Sequence, residues 1–375
     1  MPTRFLIAAG LLIVLWQLSH IAVSFPVASY QYGMVGDQVE KITRTFVRYT
    51  EIAKRAVRMT PEYESVVFVG DVLLARNVEV LMRRETPDYP FAGLSLHSLG
   101  ARPAIVGNFE SSMAEPHVMT PALQMRFSVD EALLGGLVSA RFTHLSLANN
   151  HSFDYGEEAY ARAETKLTDA GFDTFGHGEE VNNDSVTYIK TKRGLIALIG
   201  IHASAREPDY QTVRKLFSEA SEKSFMQVVY IHWGAEYKLV HNLTQERIAK
   251  ELIAAGADLI VGHHPHVVQD VDLIDDVVVF YSLGNYVFDQ YFSHDVKEGM
   301  VVTLDVNEDP VLNLLPVTSE YSLSQPSMMK PYEHQSFLEA LAKRSDPKLT
   351  QAILEGVIPL QAVVATSTEM AIMMR

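Results

Sequence analysis

Residues 257–269 read ADLIVGHHPHVVQ. An apolar run of strand length reaches Gly262, and His263, His264 and His266 follow at once. In layered α/β proteins, sites are built where strands deliver polar side chains at their carboxyl ends. The rest of the chain repeats that unit. SVVFVG (65–70) runs into Asp71, and PAIVG (103–107) runs into Asn108 and Glu110. FTHLSLA (142–148) runs into Asn149, Asn150 and His151, with Asp154 close behind. MQVVYIH (226–232) ends on His232, and VVVFYSL (277–283) leads to Asn285.

Further patterns complete the picture. GLIALIGI (194–201) is another buried-strand run, while EEAYARAETKLTDAG (157–171) and QERIAKELIAAG (245–256) have helical spacing. Strands alternating with helices predict βαβ units and an α/β fold. Beyond about residue 305 the alternation weakens and 333–355 reads as helix, so residues 311–375 are expected to form a C-terminal helical extension.

The N-terminus carries FLIAAGLLIVLWQLSHIAVSF (5–25), a run without Lys, Arg, Asp or Glu. That is about the 20 residues a bilayer core requires, so residues 1–28 are expected to be an uncleaved signal-anchor. Residues 29–62 are expected to form an amphipathic stalk, with Ile42, Phe46, Tyr49, Ala53 and Ala56 at helical spacing.

Composition excludes several classes. A formal net charge of −15 argues against non-specific nucleic-acid binding, which needs a basic footprint. The absence of cysteine removes disulfides, thiolate metal sites and cysteine nucleophiles. No Gly-x4-Gly-Lys-Ser/Thr loop is present, so ATP-driven ligation would reside in another protein.

What remains is a set of Asp, Glu, Asn and His side chains at strand ends. They suit one or two divalent cations such as Mn, Fe, Zn or Mg, with a carboxylate bridging. Singly, each has a plainer reading: Asp71 as a helix cap, the Asn pair as a turn, His232 as a core histidine. Their joint placement favours a site. His144, His177, His202, His241 and His294 read as structural or surface groups.

GD at 70–71 with Arg76, GNFE at 107–110, LANNHSFDYG at 147–156, HWGAEY at 232–237, GHHPHVVQ at 262–269 and YSLGNYVFD at 281–289 stand in one order and spacing. In these motifs the chain resembles the CapA/PgsA proteins, associated with poly-γ-glutamate capsule production, over residues 65–305. That family is in turn similar to the calcineurin-like metallophosphoesterases. The resemblance implies a four-layer α/β/β/α sandwich spanning residues 63–310, an N-terminal transmembrane helix, and an extracytoplasmic body at the cell membrane. It implies Asp71, Glu110, Asn150, His232, His264 and His266 as metal ligands, with Glu110 in the bridging place. His151 and Asp154 would be catalytic. Arg76, Asn108, Asn149 and Asn285 would face substrate, an anionic polymer such as poly-γ-glutamate, and polymer synthase or export subunits would be partners. One departure stands out: metallophosphoesterases usually carry Asp-x-His, and here position 73 is leucine. Three functions compete: a metal-dependent hydrolase or transferase, a non-catalytic subunit of a polymer assembly, and a phosphoesterase unrelated to capsule.

Overall fold

Period two decides what each strand residue meets. In β1 (Ser65–Val72) every residue is buried, because both faces of the strand are covered. Val66 and Phe68 point one way and Val67 and Val69 the other, into two separate apolar clusters. The computed structural model describes residues 62–360. The expected anchor, nearly all of the stalk and residues 361–375 lie outside that range. Among the described residues no helix is long and apolar enough to cross a membrane.

β1, β2 (Pro103–Phe109), β3 (His144–Ser146) and β4 (Asp173–Phe175) run parallel as neighbours. A second, six-stranded sheet holds β5 (Val186–Thr191), β6 (Gly194–His202), β7 (Met226–His232), β8 (Leu259–His263), β9 (Val271–Ile274) and β10 (Val277–Phe280). Its order is β5-β6-β7-β8-β10-β9, with β6, β7, β8 and β10 parallel. The chain then returns to the first sheet. β11 (Asn285–Val287) pairs parallel with β1, and β12 (Glu298–Asp305) pairs antiparallel with β1. β13 (Val311–Thr318) adds to β12, and β14 (Ser327–Met328) and β15 (Val357–Pro359) add to β13, giving nine strands.

Three apolar clusters define the layers. Phe68, Val106, Leu198, Val228, Tyr230, Val261 and Phe280 meet between the two sheets. The outer face of the first sheet is covered by α1 (Arg76–Arg84), α2 (Leu134–Ser139) and α3 (Glu157–Ala170), through Val78, Met82, Leu137, Tyr160 and Leu167. The outer face of the second is covered by α4 (Tyr210–Ser221) and α5 (Leu243–Ala255), through Val213, Phe217, Ile248 and Leu252. The layers therefore run helix, sheet, sheet, helix. The predicted helices at 157–171 and 245–256 are α3 and α5. Each ends on a glycine, Gly171 or Gly256, in left-handed backbone that any side chain would strain.

The C-terminal expectation needs correcting. Of the residues expected as a helical extension, 311–318 form a strand instead: β13 pairs with β12 along its whole length and buries Leu312 and Leu314 between the sheets. Pro310, Asn313 and Pro316 mask that strand in the sequence, since proline normally argues against an inner strand. The helical stretch 333–355 is also two helices, α6 (Pro331–Arg344) and α7 (Thr350–Glu355), separated where Pro347 follows Asp346. Both pack on the inter-sheet core through Phe337, Leu341 and Ile353.

Candidate metal centre

The carboxyl ends of β1, β2, β3, β7 and β8 converge. Asp71 comes from β1, which must pass close to the turn before β11. A Cβ on Gly70 would sit 1.9 Å from the Gly284 carbonyl oxygen, so only glycine fits. The Asp71 carboxylate accepts from Asn108 Nδ2 at 2.8 Å and from the His264 backbone N–H at 3.3 Å, and His266 Nδ1 lies 3.2 Å away. Glu110 leaves β2 with its N–H on the Val72 carbonyl, at 3.0 Å. Its Oε1 lies 3.8 Å from His151 Nε2 and 3.7 Å from His266 Nε2. His232 ends β7, with Nδ1 3.2 Å from Asn108 Nδ2 and Nε2 2.8 Å from Asn150 Oδ1.

Two ligand groups result. Asp71, Glu110 and His232, all buried, bring ligand atoms within 4.8 Å of one another, and Glu236, His264 and His266 do the same. His264 and His266 have φ of 95° and 58°, left-handed backbone that costs a non-glycine residue energy. The surrounding fold holds them there. His263 ends β8 beneath the pair. Its ring lies on Tyr230 at 4.0 Å between centroids, with Nδ1 3.7 Å from Asp71 Oδ1.

The electrostatics describe a site short of positive charge. Burial, reinforced by the Asp71 carboxylate, pushes the Glu110 carboxyl well above its usual range. Burial pulls His264 down to about 3, helped by the neighbouring His266, and pulls His263 down to about 4 against the opposing Asp71 carboxylate. His232 is held well below normal by burial and by the adjacent His264. Burial acts on His266 the same way, but Glu110 and Asp71 outweigh it and raise the ring to about 9. Asp71 stays below its ordinary value although burial opposes, because His266 pairs with it.

Buried polar atoms normally find partners. Here Glu110 Oε1, both His263 nitrogens and His264 Nδ1 have none. His232, His263 and His264 are held as neutral imidazoles, the ligating form, while a bound cation would displace the protons that burial and the carboxylates keep on Glu110 and His266. The residues present therefore fit a divalent cation.

Several expectations for single residues change. Asp154, expected to be catalytic, contacts His151. Its Oδ2 lies 2.7 Å from His151 Nδ1 and accepts the Phe127 N–H at 2.6 Å, so it positions the imidazole. Phe127 stacks on that ring at 3.9 Å. Asn149, expected at substrate, spends its amide on Asn108 Oδ1, the Phe109 carbonyl and the His151 N–H, at 2.9 to 3.1 Å. Asn285 likewise holds His266 Nδ1 at 3.0 Å and donates to the Val296 carbonyl at 2.9 Å. Asn108 sits among the ligands, bridging Asp71 and His232. Arg76 is buried, ion-paired with Asp289 and stacked 4.6 Å over Phe127, so its charge is already neutralised. Leu73 is fully buried in the helix-side cluster, facing away from the ligands.

One contributor escapes the sequence reading. Glu236 lies in the quoted HWGAEY, four residues after His232. Gly234, at φ 90°, turns the chain and the Tyr237 N–H bonds the Pro265 carbonyl at 2.8 Å, joining this loop to the histidine loop. A glutamate so close to a strand-end histidine was the available signal. His202 ends β6 with its ring 5.8 Å from that of His232, but its nitrogens meet the Gly178 carbonyl and the Ser204 hydroxyl, in keeping with a structural role.

Residues 65–290 match the family described as bacterial capsule synthesis protein PGA_cap. The chain is 29% identical to the capsule biosynthesis protein CapA of Bacillus anthracis over 307 residues, 76% of this chain and 74% of that protein. It is 29% identical to the PGA biosynthesis protein CapA of Bacillus subtilis over 253 residues, 63% of this chain and 66% of that one. Among solved structures it is similar to a novel phosphatase from Mycoplasma pneumoniae, with TM-score 0.43 and 10% identity over 72% of this chain and 92% of that one. A putative 5'-nucleotidase from Staphylococcus aureus gives TM-score 0.44 and 13% identity over 70% of this chain and 54% of that one. With well over half of its length matched, this chain belongs to the bacterial capsule synthesis protein PGA_cap family.

Proposed function

We propose that the protein works in capsule or poly-γ-glutamate production as a membrane-anchored, extracytoplasmic, metal-dependent hydrolase or transferase. The supporting observation is the sheet-edge cluster itself: two ligand groups side by side, with buried atoms lacking partners. Asp71, Glu110 and His232, with Asn150 on its Nε2, would hold one cation, and Glu236, His264 and His266 a second. A divalent cation held there lowers the pKa of water and polarises a phosphoryl or carbonyl oxygen. The chain supplies the rest. Asp154 occupies His151 Nδ1, leaving Nε2, 3.8 Å from Glu110, to exchange a proton with the leaving group. Phe127 shields that ring from water. The bond broken would be a phosphoester or a γ-glutamyl amide.

A second reading, a non-catalytic subunit of a polymer synthase or exporter, is favoured by Leu73, which supplies no ligand where a histidine is usual. Elemental analysis of the full chain, purified without chelators, decides between them. The catalytic reading expects one or two bound metals, lost in Asp71→Ala and His266→Ala. A folded wild type that stays empty after incubation with manganese, iron or zinc would leave only the subunit.

A further inference from the structure

The site lies in a protein of net charge −15, which repels a polyanion at long range. Beyond any metal held there, an anionic substrate gains from a local, uncompensated side-chain cation. Arg76 cannot serve, because Asp289 already pairs with it. Arg83 is shared between Glu79 and Asp130, and Arg162 between Glu115 and Glu131. Arg126 differs. It is exposed, and among the described residues its polar partners are neutral. Its Nε donates to the Asp154 carbonyl at 2.7 Å, and a second N–H reaches the same oxygen. The guanidinium also lies 4.5 Å over the Tyr155 ring.

These contacts fix the fork without cancelling its charge. A guanidinium has five donors and stays protonated, so several N–H groups remain for an incoming anion. Its position is tied to the reaction site. Asp154, whose carbonyl it binds, holds His151, and the next residue, Phe127, stacks on the same imidazole.

We propose that Arg126 is the substrate-anion anchor, a preoriented fork that takes a carboxylate or phosphoryl group beside His151. The role given to Arg76 in the sequence reading thus passes to a residue fifty positions further on. The inference rests on the reading of this pocket as the reaction site. Bidentate geometry gives Arg an advantage that Lys lacks.

Calorimetric titration of the full chain tests it, with inorganic phosphate and a γ-linked glutamate oligomer as separate probes, with and without added metal. Arg126→Gln should weaken at least one probe by about tenfold or more, with metal content and unfolding temperature unchanged. Arg126→Lys should recover part of the loss. An effect on phosphate alone identifies a phosphoryl group, and one on the oligomer alone a carboxylate. Undiminished binding by Arg126→Gln, or a wild type that binds neither probe, overturns the proposal. Elemental analysis of the same samples keeps the two readings apart. A metal-free wild type whose probe binding still depends on Arg126 would sink the metal centre and leave the anchor standing.

Discussion

At the scale of single residues, second contacts decide roles. Asp154 touches His151 through one carboxylate oxygen, so Asp154→Asn should keep the bound metal and lower turnover of a phosphoester or γ-glutamyl substrate by roughly 10²-fold or more. Metal loss in step with activity would place Asp154 in the ligand shell instead. His144 offers a pH test away from the site. Burial lowers its pKa from 6.5 to about 4, against an opposing Asp173. The unfolded chain then takes up a proton from about pH 6.5 downward, the folded one only near pH 4. Stability is full above that window and is lost as pH falls through it, by about 1.4 kcal/mol per pH unit for one proton. Urea unfolding between pH 7 and 4 should show a shallower decline in His144→Phe than in wild type, and identical slopes would rule the account out.

At the scale of elements, the site depends on how strands cross. β1 can carry Asp71 into the cluster only because Gly70 lets the Gly284 carbonyl approach. Gly70→Ala would force β1 and β11 apart at a cost of about 1–3 kcal/mol, and should weaken metal binding although no ligand has changed. Denaturant titration with metal analysis reads both; unaltered metal affinity would mean the crossing does not set Asp71. Phe68 provides the contrast. It packs between the sheets, 6.3 Å from the Tyr230 ring, so Phe68→Ala should cost about 3–5 kcal/mol. Any weakening of the site would then come through Tyr230, whose hydroxyl donates to the Val69 carbonyl at 2.6 Å.

At the scale of the whole molecule, the two sheets meet at the ligand cluster: Asp71 and Glu110 come from the nine-stranded sheet, His232 and His264 from the six-stranded one. A cation bound between them would couple its binding to the docking of the sheets. Metal at about 100 times its Kd should therefore stabilise the fold by about 2.7 kcal/mol. Thermal unfolding should show a rise with manganese or zinc, reversed by chelator and absent in Asp71→Ala. A wild type with no shift would argue that the cluster binds no cation.

Local chemistry made much of this protein legible. Short apolar runs rich in Val and Ile read as buried strands, and glycine at 171 and 256 marked two helix ends, because backbone preference and burial act within a few residues. Strand-end Asp71, Glu110, His232, His264 and His266 were readable because parallel strands deliver their carboxyl ends to one edge. Partners distant in sequence were not readable. Asp289 neutralises Arg76 from 213 positions away, and β13 hides behind its prolines until β12 pairs with it. Glu236 becomes a ligand candidate only when its loop bonds to Pro265. The sequence alone placed most of the candidate ligands, Asp71, Glu110, His232, His264 and His266, at or just after strand ends. Which of them meet, and which charges are already spent, was decided by tertiary packing, since a charge's role depends on what folding places within a few ångströms of it.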